Sequence, residues 1–142
     1  MTGRTPWEVA DALVADAPDE NWLRALTDDL DRRVRTRPLE RLMTLWALSA
    51  SEAAQAFGVT RQAFSKWRQN GVPADRATAL ADLAEATDTL DRHLKRERIP
   101  AVVRRPAQSL GGLSLYELAC QGRHAELRKA VAAMFDLRRV QP

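Results

Sequence analysis

Apolar positions along this chain recur mostly at three- and four-residue intervals, the repeat of an α-helix rather than of a strand. Residues 6–16 read as a short helix opened by Pro6, a residue tolerated in a first turn. Ala17-Pro18 interrupts it, and a second helix is expected from about Asn21 to Arg35, with Trp22, Leu23, Leu26, Leu30 and Val34 as its apolar stripe. Thr36-Arg37-Pro38 reads as a boundary, because the residue before a proline is pushed out of the helical region. A third helix follows over 39–48, with Leu39, Leu42, Met43 and Trp46 on one face.

Ser49-Ala50-Ser51-Glu52 matches a capping box, in which the Ser hydroxyl takes the third amide and the Glu reaches back. A helix should start there and run to about Phe57. Gly58-Val59 reads as a turn, and Thr60 as the cap of a helix ending near Asn70-Gly71. Pro73 then opens a predicted long helix over about 74–98. Its Leu80, Leu83, Thr87, Leu90 and Leu94 form a two-heptad seam that can pack on its own chain or pair with a second copy. Pro100 and Pro106 break the pattern. Leu110-Gly111-Gly112 supplies a tight loop, Ser114 and Glu117 another capping box, and Gly122 a stop. A last helix is expected over His124–Asp136.

Composition supports an all-α fold, since Ala, Leu, Arg and Glu are abundant and β-branched residues sparse. The 142 residues suit one domain or two small ones. The formal charge of +3 says little by itself, but its distribution is uneven. Residues 60–70 hold Arg61, Lys66 and Arg68 with no acid. Arg92, Lys95, Arg96, Arg98, Arg104 and Arg105 form a second cluster, and Asp28, Asp29 and Asp31 an acidic one. The lone Cys120 excludes an internal disulfide and reads as a small buried apolar residue. No signal-peptide pattern and no apolar run of about 20 residues is seen, so a cytoplasmic location without membrane contact is expected.

The segment 50–69 carries the most specific pattern. Ala54 is a small residue where two helices must cross, Gly58 tolerates positive φ in the turn, and Phe57, Val59, Phe64 and Trp67 are apolar anchors. This spacing resembles the helix-turn-helix of phage repressors and Cro. The resemblance implies that the helix Arg61–Gln69 enters the major groove of double-stranded DNA. Arg61, Gln62, Ser65, Lys66 and Gln69 would then face bases, and Thr60 and Ser51 phosphates, with Arg68 a phosphate contact or idle. Such proteins usually dimerise, so a homodimer is expected, through the Leu80–Leu94 seam or the N-terminal helices.

Further on, Val103, Pro106, Leu110-Gly111-Gly112, Ser114, Glu117-Leu118, Gly122, Leu127 and Val131 follow one another in an order that resembles the C-terminal domain of Xre/ParS-type antitoxins, partners of RES-domain toxins. The chain departs from that pattern at Val102-Val103, where Trp-Leu is common, and at Leu115, where Pro is common. The resemblance spans roughly residues 40–136 and leaves 1–37 unmatched. It implies an antitoxin that represses its own operon and blocks a RES-type toxin through its C-terminal part. Arg123, His124, Arg128, Arg138 and Arg139 are the candidate positive face for that partner. The alternatives are a stand-alone regulator or phage repressor, and a pure protein-interaction module.

No catalytic constellation, metal-ligand spacing or phosphate loop is legible around His93, His124 or Cys120, so neither enzyme activity nor a cofactor is expected. The expected organisation is a helical N-terminal extension (1–37), a helix-turn-helix domain with a long following helix (38–99), and a small C-terminal helical cap (100–142). On that division, deleting residues 102–142 should spare DNA contact.

Overall fold

A computed structural model describes residues 5–16 and 20–136, with residues 13–16 described by their backbone only. Among these, α-helices joined by short turns make an all-α fold without strands. An isolated bridge pairs Ala107 with Leu113. The chain divides into two compact units, Met1–Val34 and Arg35–Pro142.

In the first unit, α1 (Pro6–Asp16) is opened by a reciprocal cap: the Glu8 amide donates to Thr5 Oγ1 at 3.3 Å, and the Thr5 amide to Glu8 Oε2 at 3.1 Å. Helix α2 (Glu20–Trp46) begins here. Its expected apolar stripe is left largely uncovered, with Leu30 52% and Val34 64% exposed and Leu23 also open to solvent. Trp7 and Val9 of α1 are exposed as well.

The break expected at residues 36–38 does not occur, and Pro38 lies inside α2. A proline there removes one backbone hydrogen bond and costs about 3 kcal/mol in an open helix. Burial of Leu39, Leu42, Leu45 and Trp46 just beyond it opposes that cost, since each large apolar side chain contributes roughly 1.5–3 kcal/mol. Helix α2 ends instead at Ala47, the described non-glycine residue with positive φ (54°). The Leu48 amide donates to Met43 O at 2.9 Å and the Ala47 amide to Thr44 O at 3.3 Å, a left-handed stop made without glycine.

Short helices follow: α3 (Ala50–Ala56), α4 (Arg61–Asn70), α5 (Ala77–His93), α6 (Ile99–Arg104), α7 (Leu115–Cys120) and α8 (His124–Met134). The single long helix expected over 74–98 is replaced by a 3₁₀ turn at Ala74–Arg76, α5, a second 3₁₀ turn at Arg96–Arg98, and α6. Helix α5 ends where Leu94 turns extended (φ −122°, ψ 152°), and Pro100 belongs to the next helix. It cannot donate to residue 96, but it fits the first turn of a new helix, which is where α6 places it.

One core unites the second unit. Leu39, Leu42, Trp46, Phe57, Phe64, Leu83, Leu90, Ile99, Val103, Leu118, Leu127 and Val131 are essentially inaccessible and belong to one cluster. The seam of α5 packs within this chain, chiefly against α8, and its Leu83, Thr87 and Leu90 are buried. Thr87 sits at a seam position because it is a polar partner: Trp46 Nε1 donates to Thr87 Oγ1 at 3.0 Å, and that hydroxyl donates to Leu83 O at 2.7 Å. Arg41 ties α2 to α5 through Asp88 and, at 2.8 Å, Asp91. The expected division at residues 99/100 therefore cuts through a shared core, and deleting 102–142 would strip Val103, Leu118, Leu127 and Val131 from it.

Candidate nucleic-acid interface

The helix pair α3–α4 is built by local chemistry. Ser49 Oγ accepts the Glu52 amide at 3.1 Å while Glu52 Oε1 accepts the Ser49 amide at 3.0 Å, so the capping box is complete. Gly58 ends α3 at φ 67°, with its amide donating to Gln55 O at 3.0 Å and the Val59 amide to Ala54 O at 3.0 Å. The turn is thus a glycine-terminated helix stop followed directly by a cap, in which Thr60 Oγ1 accepts the Ala63 amide at 3.1 Å. Arg76 adds a bond that the sequence pattern did not signal, donating from Nη1 to Phe57 O at 3.2 Å.

Ala54 is buried, which permits close approach of the two helices. Phe57, Phe64 and Trp67 form an aromatic cluster, with Phe57 and Trp67 edge to face at 5.5 Å between ring centres. Val59 is half-buried. With Phe64 and Trp67 held inward, Arg61, Gln62, Ser65, Lys66 and Gln69 are all exposed, as are Thr60 and Ser51. Among the described residues, neither Arg61 nor Lys66 has an ion-pair partner. Arg68 differs, gripping Glu40 of α2 with both arms at 2.8 and 3.2 Å. That carboxylate raises the guanidinium pKa further and holds the side chain against the protein.

The C-terminal helices brace this pair. Arg104 bridges to Glu52 at 2.9 Å, donates to Ala47 O at 3.2 Å, and lies 5.5 Å above the Tyr116 ring. The Tyr116 hydroxyl donates to Glu52 O at 3.0 Å, and burial pushes its phenol pKa up. The Arg104 guanidinium first, and then the Ser49 amide, holds the Glu52 carboxyl below its ordinary 4.5.

Most of the expected positive face of the C-terminal part is otherwise engaged. His124 is buried, its Nε2–H donating to Ala56 O at 2.8 Å and its ring 6.2 Å from that of Phe57. It belongs to the core beneath the helix pair and presents no charge outward. Arg128 bridges to Asp82 of α5 at 2.9 Å. Arg123 is exposed but pairs with Glu126 at 2.6 Å. Arg138 and Arg139 lie outside the described residues. Cys120, expected to be buried, is exposed at the end of α7. His93 is exposed as expected, with its ring stacked on Phe135 at 4.4 Å.

A groove of about 790 Å³ is lined by residues of α6, α7, α8 and the loop between α6 and α7, among them Val102, Leu113, Ala130 and Met134. Its charged lining residues are Arg105, Arg123, Glu126 and Lys129. Among the described residues no carboxylate, histidine and cysteine cluster could hold a metal, and no helix is long and apolar enough to cross a membrane. No protein-family model, no curated protein and no solved structure matches this chain.

Proposed function

We propose that this protein binds double-stranded DNA sequence-specifically through α4 and acts as a transcriptional repressor. The observation that carries the reading is the outward face of α4, whose Arg61 and Lys66 meet no carboxylate among the described residues. Arg41, Arg68, Arg104 and Arg128 are consumed by carboxylates of their own chain, while Arg61 and Lys66 project freely from the first turns of a helix anchored from behind. Unpaired cations on an acid-free helix face suit phosphates and guanine edges, and Gln62 beside them suits adenine. The free Thr60 hydroxyl proton and the exposed Ser51 can donate to flanking phosphates.

The test is selection from a random duplex library, followed by affinity measurements at two salt concentrations. Enrichment of one site, with affinity falling steeply as salt rises, is expected. The Arg61→Ala/Lys66→Ala double mutant should lose it while keeping the wild-type melting curve. Absence of any enriched site for the wild type at low salt would overturn the proposal.

A second reading is favoured by the groove on α7 and α8. Its apolar lining, with Arg105 and Lys129 unpaired among the described residues and Glu126 held by Arg123, suits an amphipathic acidic segment of a partner protein, as an antitoxin facing a RES-domain toxin would need. If so, Met134→Asp with Lys129→Glu should abolish growth rescue in cells expressing the toxin, yet leave DNA binding intact. Unimpaired rescue would remove the groove from the reading.

A further inference from the structure

Given the DNA-binding reading of α4, on which this rests, we infer that the buried His124 is a positioning residue for base recognition. A helix ends in carbonyls that no later amide of the same helix reaches. In α3 the stop at Gly58 serves two of them: the Phe57 and Val59 amides donate to Ala54 O, and the Gly58 amide to Gln55 O. Among the described residues no backbone amide donates to Ala56 O or Phe57 O. These carbonyls belong to the turn between the two helices, and side chains from outside the pair take both. Arg76 serves Phe57 O from 19 positions further on, and His124 serves Ala56 O from 68 positions further on, at 2.8 Å. A carbonyl only accepts, so Nε2 of His124 carries the proton.

His124 also reaches α4 through the rings beneath the turn. Its imidazole lies 6.2 Å from the Phe57 ring, which meets Trp67 of α4 edge to face at 5.5 Å. His124 is the first residue of α8, whose Leu127 and Val131 are sealed in the core and which packs on α5. The turn is thus tied at once to a helix far along the chain. Helix α3, with 7 residues, is too short to fix its own end. Side chains that read base edges must be held to about 0.5 Å. Loss of the His124 bond frees the turn and lets α4 shift against α3, which misplaces Gln62 and Ser65 in the groove. The charges of Arg61 and Lys66 are unaffected, so attraction to phosphates of any sequence persists.

The test compares affinity for the duplex selected by the wild-type chain with affinity for a scrambled duplex, well below the melting transition. His124→Phe keeps a ring against Phe57 and removes the donor. Its ratio of the two affinities should fall roughly tenfold, the worth of one base contact, with scrambled-duplex affinity unchanged. His124→Gln, whose amide nitrogen can stand where Nε2 stood, should recover most of the ratio. If His124→Phe does not fold, His124→Asn, too short to reach Ala56 O, is set against His124→Gln for the same ratio. A purely structural role would lower the melting temperature and leave the ratio at its wild-type value, which overturns the proposal, as does a His124→Gln ratio no better than that of the donor-less variant. A wild type that selects no duplex overturns the DNA-binding reading and this inference together, whereas a selected site read equally well without the donor removes this inference alone.

Discussion

Two helical stripes in this protein have nearly the same sequence pattern and opposite fates. Leu23, Leu26, Leu30 and Val34 on α2, and Leu80, Leu83, Thr87, Leu90 and Leu94 on α5, both repeat at three and four residues. The centre of the α5 stripe is buried, chiefly against α8 of its own chain, while Leu23, Leu30 and Val34 of the α2 stripe are exposed and Leu26 is half-buried. Periodicity names the face of a helix that wants cover. It does not say whether the cover comes from the same chain. The difference lies in what the chain offers later: α8 returns Leu127 and Val131 to α5, whereas among the described residues the first unit offers one other short helix, α1.

The sharpest way to break the comparison is to truncate both stripes. Leu83→Ala or Leu90→Ala should cost about 2–5 kcal/mol in a denaturant titration, since each leaves a cavity in a sealed core. Leu30→Ala should leave the same transition almost unmoved in dilute solution. An equal loss at Leu30 would mean that the α2 stripe is already covered.

The polar residue of the buried stripe offers the next test. Thr87→Val removes the acceptor for Trp46 Nε1 while keeping the shape, and should cost about 1–3 kcal/mol. Thr27, also a threonine on an amphipathic helix, donates to Leu23 O at 2.9 Å but is exposed, so Thr27→Val should change stability little.

Smaller effects sharpen the account of the helix stops. Ala47→Gly should stabilise the protein by about 1 kcal/mol, because alanine now occupies a left-handed position. Gly58→Ala should destabilise by a similar amount. The space there is open, so the cost is backbone strain alone.

The smallest expected effect is that of pH on the brace between α3 and the C-terminal helices. Glu52 has its pKa lowered in the folded state, so its contribution is complete above its ordinary value of 4.5. That contribution is lost as pH falls through the lower folded value. Glu52→Gln should therefore flatten part of the acid limb of the stability curve, and an unchanged limb would show that Arg104 adds nothing there.

Much of the candidate interface was legible along the chain. The Ser49–Glu52 box, the Gly58 turn, the Thr60 cap and the inward Phe64 and Trp67 are set by residues within a few positions of one another. The exposure of Arg61, Gln62, Ser65, Lys66 and Gln69 follows from those anchors by helix geometry alone. What could not be read was which cations remain available. Arg68 meets Glu40, Arg104 meets Glu52 and Arg128 meets Asp82, partners that lie dozens of residues away and share no local signal.

By itself, then, the order of residues determined the helical class, most helix starts and stops, and the face of α4 that points outward. These depend on hydrogen bonds and periodicities that close within one or two turns. Only the tertiary structure decided that α2 runs through Pro38, that His124 is a core donor rather than a surface charge, and that the C-terminal helices complete the core of the helix pair. Each of those outcomes balances a local cost against burial supplied by a distant segment. Such a balance is struck only when the segments meet in space.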